Sequence, residues 1–202
     1  MKLLRAQTII EMLIAFMVIA VGLFAAAQIV YSNLGLVQRD QDEVVAVNLA
    51  REGVELSKQL RDSNWLAGMA FDTGFQDAIN PLDYSGTFVW NPLSSGTTYP
   101  VVDFTAVDIT SDAAKIVRTP QGALANAHAA APAITGTATT FRRVMVFHPI
   151  CFDGATTYSY PLSGVCGAGL TKVGVRVESH VRWIRSGSNR DFTVYEDLYD
   201  WR

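Results

Sequence analysis

Histidine and cysteine are scarce in this chain, with three and two among 202 residues. Two cysteines cannot build a zinc cage without histidines, and His128, His148 and His180 are scattered with no H-E-x-x-H spacing. No G-x-S-x-G, S-x-x-K or G-x-x-x-x-G-K run occurs, so neither a nucleophile elbow nor a phosphate loop is offered. Charge is sparse too. Charged residues make up 17%, the formal net charge is -3, and no global positive field attracts nucleic-acid phosphates. Proline is absent before Pro81, so nothing ahead of it must break a helix. With half its residues hydrophobic, the chain is not disordered. A non-enzymatic protein without a cofactor or metal is expected.

The apolar excess is concentrated at the start. From Ile9 to Val30 only Glu11 and Gln28 are clearly polar. As a helix this run spans roughly 33 Å at about 1.5 Å per residue, enough to cross a bilayer core. Lys2 and Arg5 precede it and, by the positive-inside rule, keep the N-terminus cytoplasmic and the rest outside. One reading is a secretory signal peptide cut after Ala27, releasing an exported binding or enzymatic domain. Another is a plain membrane anchor. Neither explains Glu11, because a carboxylate inside a span costs about 2.5–3.5 kcal/mol at the helix centre.

The string Ala6-Gln7-Thr8-Ile9-Ile10-Glu11-Met12-Leu13-Ile14-Ala15 does give Glu11 a place. It resembles the class III signal of type IV prepilins and pseudopilins: a short basic leader, a small residue, then a Thr-aliphatic-aliphatic-Glu stretch entering a long apolar helix. The family usually has Gly before the cut and Phe after it; here they are Ala6 and Gln7. The resemblance implies cleavage between Ala6 and Gln7, N-methylation of Gln7, and a filament-assembly role for Thr8 and Glu11. Residues 7 and 11 share one helical face, and Glu11 of an incoming subunit would meet the Gln7 amine of a neighbour, setting axial register. The implied partners are other pilin subunits, a prepilin peptidase, an inner-membrane assembly platform and, before assembly, membrane lipid; nucleic acid is disfavoured. The implied location is a single-pass membrane precursor with its head outside the cytoplasm, then a periplasmic or extracellular filament.

The helix is expected to continue from about Gln7 to Asp62. Leu34, Val37, Val45, Leu49, Leu56 and Leu60 recur near helical spacing, with Val44, Val47 and Val54 widening the stripe. Charges from Arg39 to Lys58 fill the other face. A turn near Ser32–Gly35 is the alternative.

Beyond Trp65, turn-forming residues dominate to about Thr140, with short strands expected at Thr87–Trp90 and Val101–Thr105. The stretch Ala123–Ala133 reads as a short helix or a loop. Phe141–Ile150, Lys172–Arg185 and Asp191–Tyr199 read as strands. In the second, Val173, Val175, Val177, Val181 and Trp183 alternate with Lys172, Arg176, Glu178, His180 and Arg182. The segment 186–190 reads as a hairpin loop. The expected fold is α+β and pilin-like: a long N-terminal helix, apolar then amphipathic, packed on a C-terminal antiparallel sheet. Its divisions are a leader at 1–6, a membrane or filament-core helix at 7–30, an amphipathic helix at 31–64 and a head at 65–202. Within the head an irregular insert covers 65–140 and a β-meander 141–201.

If the head is exported, Cys151 and Cys166 pair as a disulfide; a reducing compartment leaves two thiols. Asp72, Asp77 and Asp83 match the spacing of no metal-binding loop. Arg142, Arg143, Arg176, Arg182, Arg185 and Arg190 gather on the sheet. They read as a solvated face paired across strands with Glu178, or as a patch for a neighbouring subunit or DNA. No aromatic interleaving for single-strand binding is visible in that pattern. His180 reads as a solvated histidine.

Overall fold

A computed structural model describes residues 3–76, 85–92, 98–104, 108–126, 136–162 and 164–200, with side chains from Ile9 onward except at 90–92 and 98–99. One helix, α1 (Leu3–Leu66), opens the chain. Among the described residues eight strands follow: β1 (Ser85–Pro92), β2 (Thr98–Asp103), β3 (Lys115–Arg118), β4 (Leu124–Asn126), β5 (Thr137–Phe152), β6 (Tyr158–Ser159), β7 (Thr171–Arg185) and β8 (Ser188–Tyr199). The chain divides into two compact units, Met1–Val45 and Ala46–Arg202. The last part of α1 therefore belongs with the sheet.

In the first unit every described side chain from Ile9 to Gln41 is exposed. The helix runs without interruption through Ser32–Gly35, so no turn occurs there. It contains one segment long and apolar enough to cross a membrane, with a mean hydropathy of 2.6.

In the second unit, β5 is the hub. Its 12-residue register with β7 runs from Phe141↔Trp183 to Phe152↔Thr171 along one edge. The opposite edge takes β3 (Arg142↔Lys115), β1 (Met145↔Gly86) and β6 (Cys151↔Ser159) in succession. All pairs are antiparallel, and β8 closes the far side on β7. Val175, Val177, Val181 and Trp183 are buried on the inner face of β7, as their alternation predicts, and Ser179 joins them.

The inner face is covered by Ala46–Leu66 and the turns after it. Leu56, Trp65, Phe71, Phe75, Met145, Phe147, Val175, Val177 and Leu198 form one cluster with Phe88. The buried stripe on α1 differs from the expected one. Ala46, Leu49, Ala50, Val54, Leu56 and Ser57 are buried, whereas Leu34, Val37 and Val44 are more than half exposed. Small residues are chosen because the helix lies close to the strands. A Cβ on Gly53 would stand 2.6 Å from both Met145 Sδ and Ser179 Oγ. Schellman hydrogen bonds end the helix, Gly68 N to Trp65 O and Met69 N to Asn64 O.

The strands expected at Thr87–Trp90 and Val101–Thr105 fall on β1 and on β2, which ends at Asp103; the two pair from Thr87↔Asp103 to Pro92↔Thr98, and the described residues of 65–140 add β3, β4 and the start of β5. Two expectations change. Leu124–Asn126 is a strand, neither helix nor loop, because Asn126 must reach Arg143 on β5. His128, Pro132 and the rest of 127–135 lie outside the described residues, as do Asp77, Asp83 and Trp201. The loop between β7 and β8 is two residues, not five. Ser186 (φ 49°) and Gly187 (φ 76°) both take positive φ, the type I′ turn whose twist matches the strands.

Candidate functional site

Ala6, Gln7 and Thr8 lie in the first turns of α1, and Glu11 follows as an exposed side chain. Glu11 is surrounded along the helix by Ile9, Ile10, Met12, Leu13 and Ile14, each 58–63% exposed. The segment thus presents one carboxylate on a surface that is otherwise apolar on all sides. In water that surface is unfavourable by about 25 cal/mol per Å². In lipid or among packed helices the carboxylate is the costly group and gains by pairing with a cation.

The head carries the remaining polar chemistry, and most of it is satisfied internally. Arg143, expected on a solvated face, is buried to 2% exposure on the inner face of β5. Its Nη1 donates to Leu49 O at 3.0 Å and to Glu52 Oε2 at 3.1 Å, and its Nη2 to Asn126 Oδ1 at 2.9 Å. Burial pulls its pKa down, and the Glu52 carboxylate offsets part of that. This residue ties α1, β4 and β5 together. Arg142 points the other way and donates to Thr110 O (2.7 Å) and Ser111 O (2.8 Å), holding the segment that covers the outer face of β5.

Arg176 and Arg182 find aspartates on β8 instead of Glu178. Arg176 stands opposite Asp197 and makes a bidentate pair, Nε–Oδ1 2.7 Å and Nη2–Oδ2 2.9 Å. These hydrogen bonds push the guanidinium pKa further up. Arg182 stands opposite Asp191 and donates to its Oδ1 at 2.7 Å. His180 Nε2 reaches the same oxygen at 2.9 Å, so it is an ion-pair neighbour rather than a purely solvated side chain. Partial burial works to raise the Asp191 carboxyl, and the Arg182 and His180 hydrogen bonds outweigh it and bring the pKa down. Cross-strand register selects these pairs, because directly opposite residues lie closest. Lys58 on α1 similarly reaches Glu196 at 2.8 Å. Asp72 takes Lys172 at 2.6 Å and is no metal ligand in waiting. No group of three or more His, Cys, Asp or Glu side chains suited to a metal occurs among the described residues.

Cys151 and Cys166 form the disulfide, with Cα atoms 5.6 Å apart. It closes the loop that contains β6. Asp153 folds that loop locally: its Oδ1 accepts from the N–H groups of Ala155, Thr156 and Thr157 at 2.8–3.0 Å, which lowers its carboxyl pKa to about 2.

Sequence reasoning missed an aromatic cluster on the outer face of β7 and β8. The Arg176 guanidinium lies 3.8 Å from the Tyr160 ring centroid and 5.1 Å from that of Tyr195. Tyr160 Oη is 3.5 Å from Asp197 Oδ2. Arginine and aromatic side chains therefore do interleave on this face. Strand alternation puts Tyr195, Asp197 and Tyr199 on one side of β8, but the arrival of Tyr160 from the disulfide loop is a long-range event with no local signal.

Compared with protein-family models, with curated protein sequences and with solved structures, the chain matches none.

Proposed function

We propose that this protein is a structural subunit of a type IV pilus or of a pilus-like filament of the type II secretion kind, in the manner of a minor pilin or pseudopilin, and that it works by assembly and not by catalysis. The observation that supports this reading is the segment Ile9–Val30. It is a helix apolar on all sides, fully exposed, whose one acid is Glu11, the fifth residue after the Ala6–Gln7 junction. Such a helix must be surrounded, by lipid before assembly and by sister helices afterwards. Cleavage after Ala6 by a prepilin peptidase frees the Gln7 amine, which is then N-methylated. Thr8 sits in the turn between that amine and Glu11. Glu11 of an entering subunit pairs with the amine of its neighbour on the assembly platform. The pair removes the penalty of an unmatched buried carboxylate and fixes the axial step.

The test is made on the chain expressed in a host with a pilus-type assembly system. N-terminal sequencing of the membrane-extracted protein is expected to start at Gln7. Glu11→Ala is expected to insert normally and to fall at least about tenfold in sheared filaments, the scale of one lost charge pair. A chain starting at Gln28, or equal incorporation of the variant, overturns the proposal.

A further inference from the structure

The outer face of β7 and β8 carries a cluster to which the proposed assembly through α1 assigns no role. Tyr158, Tyr160, Tyr195 and Tyr199 are 52%, 36%, 65% and 40% exposed. Tyrosine presents a flat apolar ring with a polar tip and loses little conformational freedom when it binds. Between the rings lie Arg176 and Asp197, locked to each other and held against Tyr160 and Tyr195. The disulfide anchors the loop that supplies Tyr158 and Tyr160.

The charge pattern narrows the ligand. Arg176 already holds Asp197, and Arg182 on the same face holds Asp191. No net positive charge is left over for a phosphate or sulfate, and nucleic-acid grooves depend on such an excess. Protein interfaces favour tyrosine and arginine but deplete aspartate, yet here the Asp197 carboxylate stands beside Arg176 and Tyr160 among the rings. A neutral ligand rich in hydroxyl groups fits both features. The C–H face of a pyranose lies against a tyrosine ring, and its hydroxyls find fixed donors and acceptors in the guanidinium, the carboxylate and the phenols. Tyr195 and Tyr199 are four residues apart on one face of β8, which places them roughly 13 Å from each other along the strand. A single sugar does not span that distance; an extended chain does.

We propose that the tyrosine-lined outer face of β7 and β8, completed by the disulfide loop, binds an extended neutral polysaccharide. The site lies wholly within Ala46–Arg202 and stands whether or not the chain assembles into filaments.

The full chain in polyoxyethylene detergent micelles (an alkyl maltoside would compete) is applied to an array of neutral oligosaccharides of increasing length, with heparin and a single-stranded oligonucleotide alongside. Retention is expected on neutral oligosaccharides of three or more sugars and not on the two polyanions. Tyr195→Ala and Tyr199→Ala are each expected to weaken retention about tenfold, the scale of one lost aromatic contact, while Tyr195→Phe keeps the ring and most of the affinity. Both positions are exposed, so an unchanged urea midpoint shows that the variants fold. Failure to retain any neutral oligosaccharide, preferential retention on heparin or the oligonucleotide, or full retention by folded Tyr195→Ala overturns the proposal.

Discussion

Between Ile9 and Val37 the helix α1 displays Ile, Leu, Val, Phe and Met side chains that are all more than half exposed, whereas between Ala46 and Ser57 it buries mostly alanine, glycine and serine, with leucine and valine between them. The most apolar part of the helix is exposed, and the less apolar part is covered. Hydrophobicity and burial therefore run in opposite directions along one element. In the head, the size of a side chain at the contact decides what is buried, because strands and helix approach too closely for a leucine at Gly53. In the first unit, apolar bulk without a partner implies that the surroundings supply one.

Three substitutions test this contrast. The largest effect is expected from Arg143→Ala, which removes a buried guanidinium, leaves the Asn126 carboxamide oxygen without its donor and opens a cavity beside Leu49. A loss of about 3–5 kcal/mol is expected, read as a lowered urea midpoint of the full chain in micelles; a loss below about 1 kcal/mol would show that Arg143 does not pin helix to sheet. Gly53→Ala comes next. Helix propensity alone favours alanine by about 1 kcal/mol, but its Cβ has to displace Met145 and Ser179, so a net loss of about 1–3 kcal/mol is expected. Stabilisation in the same assay would mean that close approach is not what selects glycine. The smallest effect belongs to Leu23→Gln in the bare half. Exposed substitutions stay within about 0.5 kcal/mol, so the urea midpoint of the head should not move; a shift beyond 1 kcal/mol would tie the two units energetically and break the contrast.

The same contrast marks what the sequence could and could not disclose. The extent of α1 was legible, since an unbroken proline-free pattern expected over 7–62 is observed over Leu3–Leu66. So was the alternation of β7, because period two reports a half-buried strand directly. Val44 was read as part of the buried stripe and Ala46, Ala50 and Ser57 were not, because periodicity scores weigh bulk, while close packing rewards its absence. Arg143 was read as solvated since nothing local signals that Asn126, Glu52 and a helix carbonyl converge on it. Asp197 and Asp191 were passed over in favour of Glu178, because cross-strand partners depend on register, and the register followed from a two-residue turn that had been read as longer. At the N-terminus, the positions of Ala6, Gln7, Thr8 and Glu11 were read from order in the chain alone, and their proposed roles depend on neighbours that a single chain does not contain.

The central position of β5 fixes a timetable. Its partners come from both earlier and later parts of the chain, so the sheet cannot close until residues 137–152, and then 171–185, have been made. Translation proceeds at about 5–20 residues per second, and the greasy segment leaves the ribosome seconds before its own head can exist. Whatever receives that segment must do so while the remainder is still an unfolded nascent polypeptide.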